Sequence, residues 1–406
     1  MATRSASIAR KGSRARPKST SRSRSSVESG STLITLVTFA LVLLGLMMIL
    51  SASFVSSFTN YGSSFLFFRR QLLWVVLGII GFIFFSHFDY RRLKGAGYLL
   101  IAVSIALLFA VIIPSVGVTV GGSARWLGVG SLSFQPSELA KLALILFAAD
   151  VFSRKQEATL DDLPHTLLPM VPVLAILAGL VMLQPDLGST ILIGSIGIGM
   201  LLVAGAPMRF LAPLAGLGGA AATVAALIEP ERRSRVLSFL DPWKDSLGDG
   251  YQTIQGLIAI GSGGWFGVGL GASRQKWNYV PNAHTDYIFA ILGEEMGLLG
   301  TFVVLGLFVA LAYLGLRTAR QAADRYGMLV AAGITIWISV QAFVNVGVVT
   351  ATLPMTGVPL PLVSFGGSSL VLTLAAVGML TNIAKHGKLD PVTRAKRARR
   401  RESSQG

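Results

Sequence analysis

A chain of 406 residues that is 52% hydrophobic and only 13% charged has too little polar surface to coat a soluble globule, which points to a membrane protein. Its formal net charge is +16, but residues 1–30 and 385–406, with eight Lys/Arg each, carry +13 of it. Charge gathered in two short tails beside apolar segments fits an anionic inner leaflet and the positive-inside rule, so no nucleic-acid partner is expected. Cysteine is absent, which removes disulfides and thiolate metal sites.

In chain order, the Ser/Arg/Lys-rich segment 1–30 buries too little apolar surface to fold and reads as a disordered basic tail. With no small-residue cleavage site after it, the first apolar run is expected to stay as an anchor. Apolar runs follow near 32–55, 71–87, 97–115, 138–153, 165–183, 187–205, 209–228, 286–316, 328–350 and 366–385, each roughly long enough to cross about 30 Å of hydrocarbon. The expectation is an all-α integral membrane domain over 31–386, with about ten transmembrane helices. An even number places both termini on one side, and their charge makes that side cytoplasmic. The long segment 229–285, between helices seven and eight, then becomes an extracytoplasmic loop, and 387–406 a second disordered basic tail. Outer basic residues include Arg69, Arg70, Arg125, Arg232, Arg233, Arg235, Lys244, Arg274 and Lys276. Either strong tails make their placement immaterial, or some of them face an anionic ligand.

Three groups of ionisable residues stand at membrane boundaries, where an unpaired charge is costly. Glu138 and Lys141 are three apart at the start of the fourth helix and predict an internal ion pair. Pro136 and Glu138 suit a helix start, yet Lys141 sits a turn deeper than a cap requires. Asp186, in a tight turn, reads as the cap of the next helix. The third group is His284-Thr285-Asp286, which runs straight into a helix and puts a carboxylate at the water–lipid boundary unless Thr285 or Asp286 merely caps it. Glu294 falls about 80° around the helix from Asp286 and is the glutamate able to share its cavity, whereas Glu295 falls roughly opposite. Both glutamates also suit buried hydrogen bonds to neighbouring helices. The glycine string 261–271 follows no strand, so it is a close-packed loop or re-entrant segment, not a dinucleotide fingerprint.

Seven segments together carry a specific resemblance: G-G-S-A-R-W-L from 121, Q-P-S-E-L-A-K from 135, Q-P-D-L-G-S from 184, D-P-W-K-D from 241, G-Y-Q-T-I-Q-G from 250, A-H-T-D-Y-I-F-A-I-L-G-E-E-M-G from 283 and P-L-P-L-V-S-F-G-G-S-S from 359. Over nearly the whole apolar core the chain resembles the SEDS family of bacterial shape, elongation, division and sporulation proteins. It is most similar to the division branch, through K-W-N-Y-V-P-N-A-H-T-D from 276, with the elongation branch second. The resemblance implies a peptidoglycan glycosyltransferase of the bacterial cytoplasmic membrane, at the division septum. Such an enzyme polymerises lipid II on the outer face with a class B penicillin-binding protein and other division proteins. It also implies that Asp286 is the essential carboxylate. Asn278 stands where some relatives carry an acid, so no second acidic role transfers there.

Joining sugars needs an acceptor hydroxyl made nucleophilic and a pyrophosphate leaving group made stable. Asp286 is the candidate base, or orients the hydroxyl. Arg125, Lys141, Arg274 and Lys276 are candidates to hold pyrophosphate, with Glu138, His284 and Glu294 in support. No metal cage is visible, so no tightly bound cofactor is expected, and Mg²⁺ or Mn²⁺ would be held largely by substrate. Two other readings compete: a transporter that flips the same lipid, and a non-catalytic division scaffold. The suggestive residues cluster at one face, where a transporter needs a midplane site, and a scaffold leaves Asp286 unexplained.

Overall fold

The computed structural model describes residues 21–387 except 115, 121–122, 130–131, 156–161, 163–165 and 278. The tail readings for 1–20 and 388–406, and Asn278, lie outside the described residues. Each of the ten apolar runs falls on a helix. They are α1 Ser21–Tyr61, α2 Leu66–His87, α3 Ala96–Ile112, α4 Pro136–Ser153, α5 Val171–Met182, α6 Leu187–Ala204, α7 Met208–Ile228, α10 Ile288–Gln321, α11 Arg325–Val349 and α12 Gly367–Lys385. Seven of them, α1, α2, α6, α7, α10, α11 and α12, have the length and hydropathy of membrane spans, while α3 and α5 are apolar but shorter. The exception in character is α4, which carries Glu138, Lys141 and Asp150 and is buried almost throughout, between α3, α6, α11 and α12. A helix enclosed by protein tolerates charge that lipid would reject.

Three expectations change in detail. Helix α1 starts at Ser21, so the polar stretch before Gly30 continues the helix of the first span. The segment 116–137, between the third and fourth apolar runs, holds an antiparallel sheet of β1 Gly117–Val120, β2 Ser123–Val129 and β3 Leu132–Phe134 in the order β1-β2-β3. Its alternating Val, Ala, Trp and Leu satisfy the period of two that a strand requires. The long segment 229–285 is also structured, with α8 Pro230–Leu240 and α9 Tyr251–Ser262. Periodicity read for spans passes over both helices because they are short and amphipathic.

The glycine string explains how this segment is anchored. Helix α10 breaks at Gly297, whose φ of 65° and ψ of −165° lie in a region essentially reserved for glycine. The break removes two helical hydrogen bonds, and the hairpin 264–269 replaces them. Leu298 N–H donates to Gly264 C=O at 2.9 Å and Leu299 N–H to Trp265 C=O at 3.2 Å. In return, Val268 and Gly269 N–H groups donate to the carbonyls of Glu294 and Glu295 at 3.0 and 3.1 Å. A backbone in hydrocarbon must satisfy its polar groups internally, and this exchange does so.

A Cβ on Gly297 would lie 2.4 Å from the Gly267 nitrogen. Gly297→Ala is therefore expected to cost about 3 kcal/mol or more, read as a lowered midpoint of thermal unfolding in detergent; an unchanged midpoint would refute the inserted hairpin.

Candidate functional site

At the end of the bundle that holds the sheet, a cavity of about 320 Å³ is walled by residues from seven parts of the chain, among them the segment 355–369 that leads into α12. Strand β2 supplies Arg125, the start of α4 supplies Glu138, and the α5–α6 turn supplies Asp186. Helix α8 brings Arg235 and α9 brings Gln252. Asn282, Thr285 and Asp286 come from the approach to α10.

Asp286 is 8% exposed. Burial pushes its carboxyl up to about 6, against the opposing pull of the Thr285 hydroxyl, which donates to it at 3.0 Å, and of the positive Arg235. The backbone that carries it is pinned by Asn345 of α11, whose side-chain amide donates to the Asp286 carbonyl at 2.7 Å and to the Val358 carbonyl at 2.8 Å. Arg125 reaches across the rim to the α5–α6 turn, donating to the Gln184 carbonyl at 3.2 Å and to that of Pro185. Asp186 caps α6 as its sequence context predicts, accepting from the Ser189 N–H at 3.0 Å and its hydroxyl at 2.7 Å. Gln135 donates to the same carboxylate at 3.4 Å. The cavity therefore brings two guanidinium groups, the raised Asp286 carboxyl, three further acidic side chains (Glu138, Asp186 and Glu229) and several neutral hydrogen-bonding side chains to one place.

The Glu138–Lys141 pair is present at 2.8 Å. Lys141 is 0% exposed; its ammonium also donates to Gln341 at 3.1 Å and lies over the Trp337 ring. It is not a wall of the cavity, which corrects its place among the pyrophosphate candidates: a turn below the rim, it is engaged by Glu138. The second carboxylate oxygen of Glu138 is buried and has no partner among the described residues.

Lys276, Arg274 and Glu294 do not line the cavity either. The Lys276 ammonium is buried 3.4 Å from Glu295 and 3.2 Å from the Ser51 hydroxyl of α1. Glu294 accepts from the Ser273 hydroxyl and from the N–H groups of Arg274, at 2.8 Å, and Gln275, at 3.4 Å. The two glutamates thus clamp residues 273–276 to the break in α10, and the Arg274 side chain remains exposed. These residues are near Asp286 in sequence, but the inserted hairpin carries them away from the cavity. His284 packs its ring against Phe67, with centroids 4.6 Å apart, and against Phe365. Burial lowers its pKa to about 4, and its carbonyl accepts from the Phe365 N–H at 2.9 Å; it supports the wall without facing the cavity. Among the described residues no group of three or more His, Asp or Glu side chains is placed to hold a metal ion.

Sequence reasoning missed Arg235 as a site residue. It is one of three arginines in a short surface helix, and nothing in the spacing distinguishes the one that turns inward. Asn345 was missed because a lone amide inside an apolar run carries no motif.

The profile of the FtsW, RodA and SpoVE family, described as "Cell cycle protein", matches residues 31–389. The chain belongs to this family. Members similar to it include stage V sporulation protein E of Bacillus subtilis, 42% identical over 88% of this chain and 97% of that protein. The probable peptidoglycan glycosyltransferase FtsW of Thioalkalivibrio sulfidiphilus is also 42% identical, over 86% and 88%. A chain from a solved peptidoglycan synthase complex that coordinates polymerisation and crosslinking superimposes with a TM-score of 0.71, at 31% identity and covering 87% of this chain and 96% of that one. RodA of Thermus thermophilus gives 0.65 at 28% identity, over 88% and 97%. As a member of this family the chain is a multi-pass membrane protein.

Two measurements check the electrostatics. A carboxyl raised to about 6 in the folded state stabilises nothing once charged: the fold loses about 3 kcal/mol as pH rises from roughly 4 to 6. Asp286→Asn should therefore unfold at a higher temperature than the native protein at pH 7.5, with the gap closing below pH 4. For the buried pair, Lys141→Met alone should cost about 3–5 kcal/mol by leaving Glu138 unpaired, and adding Glu138→Gln should recover most of it. A double-mutant cycle on thermal stability with no coupling would reject the pair.

Proposed function

We propose that this chain polymerises lipid II into glycan strands at the end of the bundle where the cavity lies, on the outer face of the bacterial cytoplasmic membrane. The chain is a peptidoglycan glycosyltransferase of the FtsW type, an enzyme of cell division. The observation that carries the mechanism is the buried Asp286 carboxyl, raised to about 6 and sharing one cavity with Arg125 and Arg235.

In the proposed reaction an acceptor sugar hydroxyl lies within hydrogen-bond reach of Asp286. Its oxygen attacks the anomeric carbon of the lipid-linked donor, and its proton passes to the Asp286 carboxylate. The bond between that carbon and the pyrophosphate breaks, and the departing charge is met by Arg125 and Arg235, whose planar forks match phosphate oxygens. The orphaned Glu138 oxygen would help to hold a divalent cation such as Mg²⁺ or Mn²⁺, which would supply charge neutralisation to the leaving pyrophosphate. Thr285 and Asn345 fix the base in place, and the lipid anchor keeps the substrate in the bilayer.

Both termini then lie in the cytoplasm, and ten helices cross the membrane. We further propose action at the septum beside a class B penicillin-binding protein, a partner that the similarity to a chain of a peptidoglycan synthase complex supports. Against a flippase stands the placement of every cavity wall at one end of the bundle. At the opposite end the Tyr90 hydroxyl donates to Asp324 at 2.6 Å and Arg91 pairs with the same carboxylate at 3.0 Å, joining the α2–α3 and α10–α11 turns.

With purified protein and lipid II, Asp286→Asn should lower glycan formation about 10²–10⁴-fold with the fold intact. The native rate should climb with pH and level off above about 6, the point at which Asp286 loses its proton. Because Arg235 favours the charged carboxylate, Arg235→Ala should shift that inflection to higher pH. Wild-type polymerisation by Asp286→Asn would sink the assignment.

A further inference from the structure

The chain turns a left-handed corner at Asn282, with φ of 55°, a conformation that asparagine enters at small cost. The corner folds the segment back and gathers three donors round one carbonyl. The Asn282 carbonyl accepts from the Thr285 N–H at 3.0 Å, the Tyr287 N–H at 3.4 Å and the Thr285 hydroxyl at 3.0 Å. The same hydroxyl also lies 3.0 Å from Oδ1 of Asp286. A hydroxyl has one hydrogen, so it can donate in full to the Asn282 carbonyl or to the Asp286 carboxyl, and not to both. The two acceptors are equally distant, and their charge decides between them.

An ionised carboxylate is the stronger acceptor, because hydrogen bonds to charged groups are roughly twice as strong as neutral ones. The hydroxyl accordingly pulls against the rise that burial imposes on Asp286. Once a proton arrives on Oδ2 that advantage is gone, since Oδ1 becomes the carbonyl oxygen of a neutral acid, a weaker acceptor than a backbone amide. Rotation about the Cβ–Oγ1 bond of Thr285 then swings the hydrogen to Asn282 with no other heavy atom moving. The Asn282 carbonyl has two lone pairs, and the Tyr287 N–H, the longest of its three contacts, is the one that gives way. Neither state leaves the hydroxyl hydrogen without an acceptor.

We propose that the Thr285 hydroxyl is a two-position switch for the base: it donates to Asp286 while that group is a carboxylate and turns to the Asn282 carbonyl when Asp286 takes the acceptor's proton. Thr285 is thus a positioning residue that acts through Asp286 without touching the sugars. The proposal rests on the glycosyltransferase reading above. In the step itself the acceptor O–H bond breaks, its hydrogen joins Oδ2, and its electron pair becomes the bond to the anomeric carbon as pyrophosphate leaves with the electrons of the old bond. Thr285 keeps its own hydrogen throughout and only redirects it. A donor fixed on the carboxylate would oppose protonation; one that turns away returns part of that cost.

The charged groups sharing the cavity with Asp286 are Arg125 of β2, Glu138 of α4, Asp186 of the α5–α6 turn, Glu229 before α8 and Arg235 within it. The walls from α9 and from 355–369 are neutral, as is Asn345 of α11, and Tyr287 adjoins Asp286 in the chain. A substitution at Thr285 leaves all of these in place. Thr285→Val keeps the shape and removes the hydroxyl, whereas Thr285→Ser keeps the hydroxyl. With purified protein and lipid II, Thr285→Val should move the inflection of the rate upward by about one pH unit, the result of losing a bond that favours the charged form. It should lower kcat about tenfold with KM unchanged, and Thr285→Ser should bring the inflection back and recover most of the lost rate.

Infrared difference spectra between acid and neutral pH, with Asp286→Asn as reference, isolate the Asp286 carboxyl without any turnover. Thr285→Val should shift the carboxylate stretch and the titration midpoint. It should leave the C=O stretch of the protonated acid where the native protein has it, because there the hydroxyl has already turned away. A C=O stretch that moves in Thr285→Val would show the hydroxyl bonded to Asp286 in both states and overturn the switch, as would an unmoved midpoint. Should Thr285→Val fail to fold, Thr285→Ala carries the same comparison. The expected infrared pattern from a native protein that makes no glycan would sustain the switch as a response to protonation and sink the enzyme reading.

Discussion

A primary ammonium at the centre of a helical bundle must be paired, or the helix that bears it cannot remain there. Lys141 meets that demand with one oxygen of Glu138 and the side-chain carbonyl of Gln341, and Gln341 passes the constraint on by donating to the Pro359 carbonyl at 3.0 Å. One charge thereby fixes α4, α11 and the segment before α12 relative to one another. The rim of the cavity is built on these three. Because Glu138 spends a single oxygen on the pair, the network also leaves an acceptor beside the cavity, a cost in stability that makes sense where a ligand arrives with its own cation or donor.

Above this floor the chemistry depends on how little the groups can move. Asp286 sits between a hydroxyl on its own chain and an amide from α11 that holds its backbone, so its carboxylate is aimed before substrate binds. Arg125 is similarly tied to the α5–α6 turn. Groups fixed in advance need no reorganisation when charge develops on a leaving pyrophosphate, and half-buried guanidinium groups act there with more force than in water. The same burial that raises Asp286 makes it a usable base near neutral pH.

The architecture was legible because its signal is long: each of the ten apolar runs extends far enough that local ambiguity averages out, and every one falls on a helix. The sheet and the two helices of 229–285 were not legible, being short, amphipathic and set by contacts with the bundle. At the site, the Glu138–Lys141 pair and the Asp186 cap followed from local spacing. Arg274, Lys276 and Glu294 were misplaced for the opposite reason, since closeness to Asp286 in sequence was read as closeness in space. A hairpin that inserts into a broken helix defeats that inference, and only the glycines hint at it. Arg235 and Asn345 act through distant parts of the chain, a relation that no single-sequence spacing records.

The exchange of four backbone hydrogen bonds between the 264–269 hairpin and α10 has a consequence for how the protein assembles. Neither partner is complete alone: α10 without the hairpin exposes two carbonyls and two amides to hydrocarbon, and the hairpin without α10 exposes their complements. The two must therefore form together after α10 is synthesised, and thereafter they open together or not at all. Local fraying, the inexpensive motion of most surface loops, is closed to this one. The segment that leads into Asp286 is thus fastened by a cooperative unit whose amides are expected to exchange slowly, in a stretch that looks, by its glycine content, like the most flexible part of the chain.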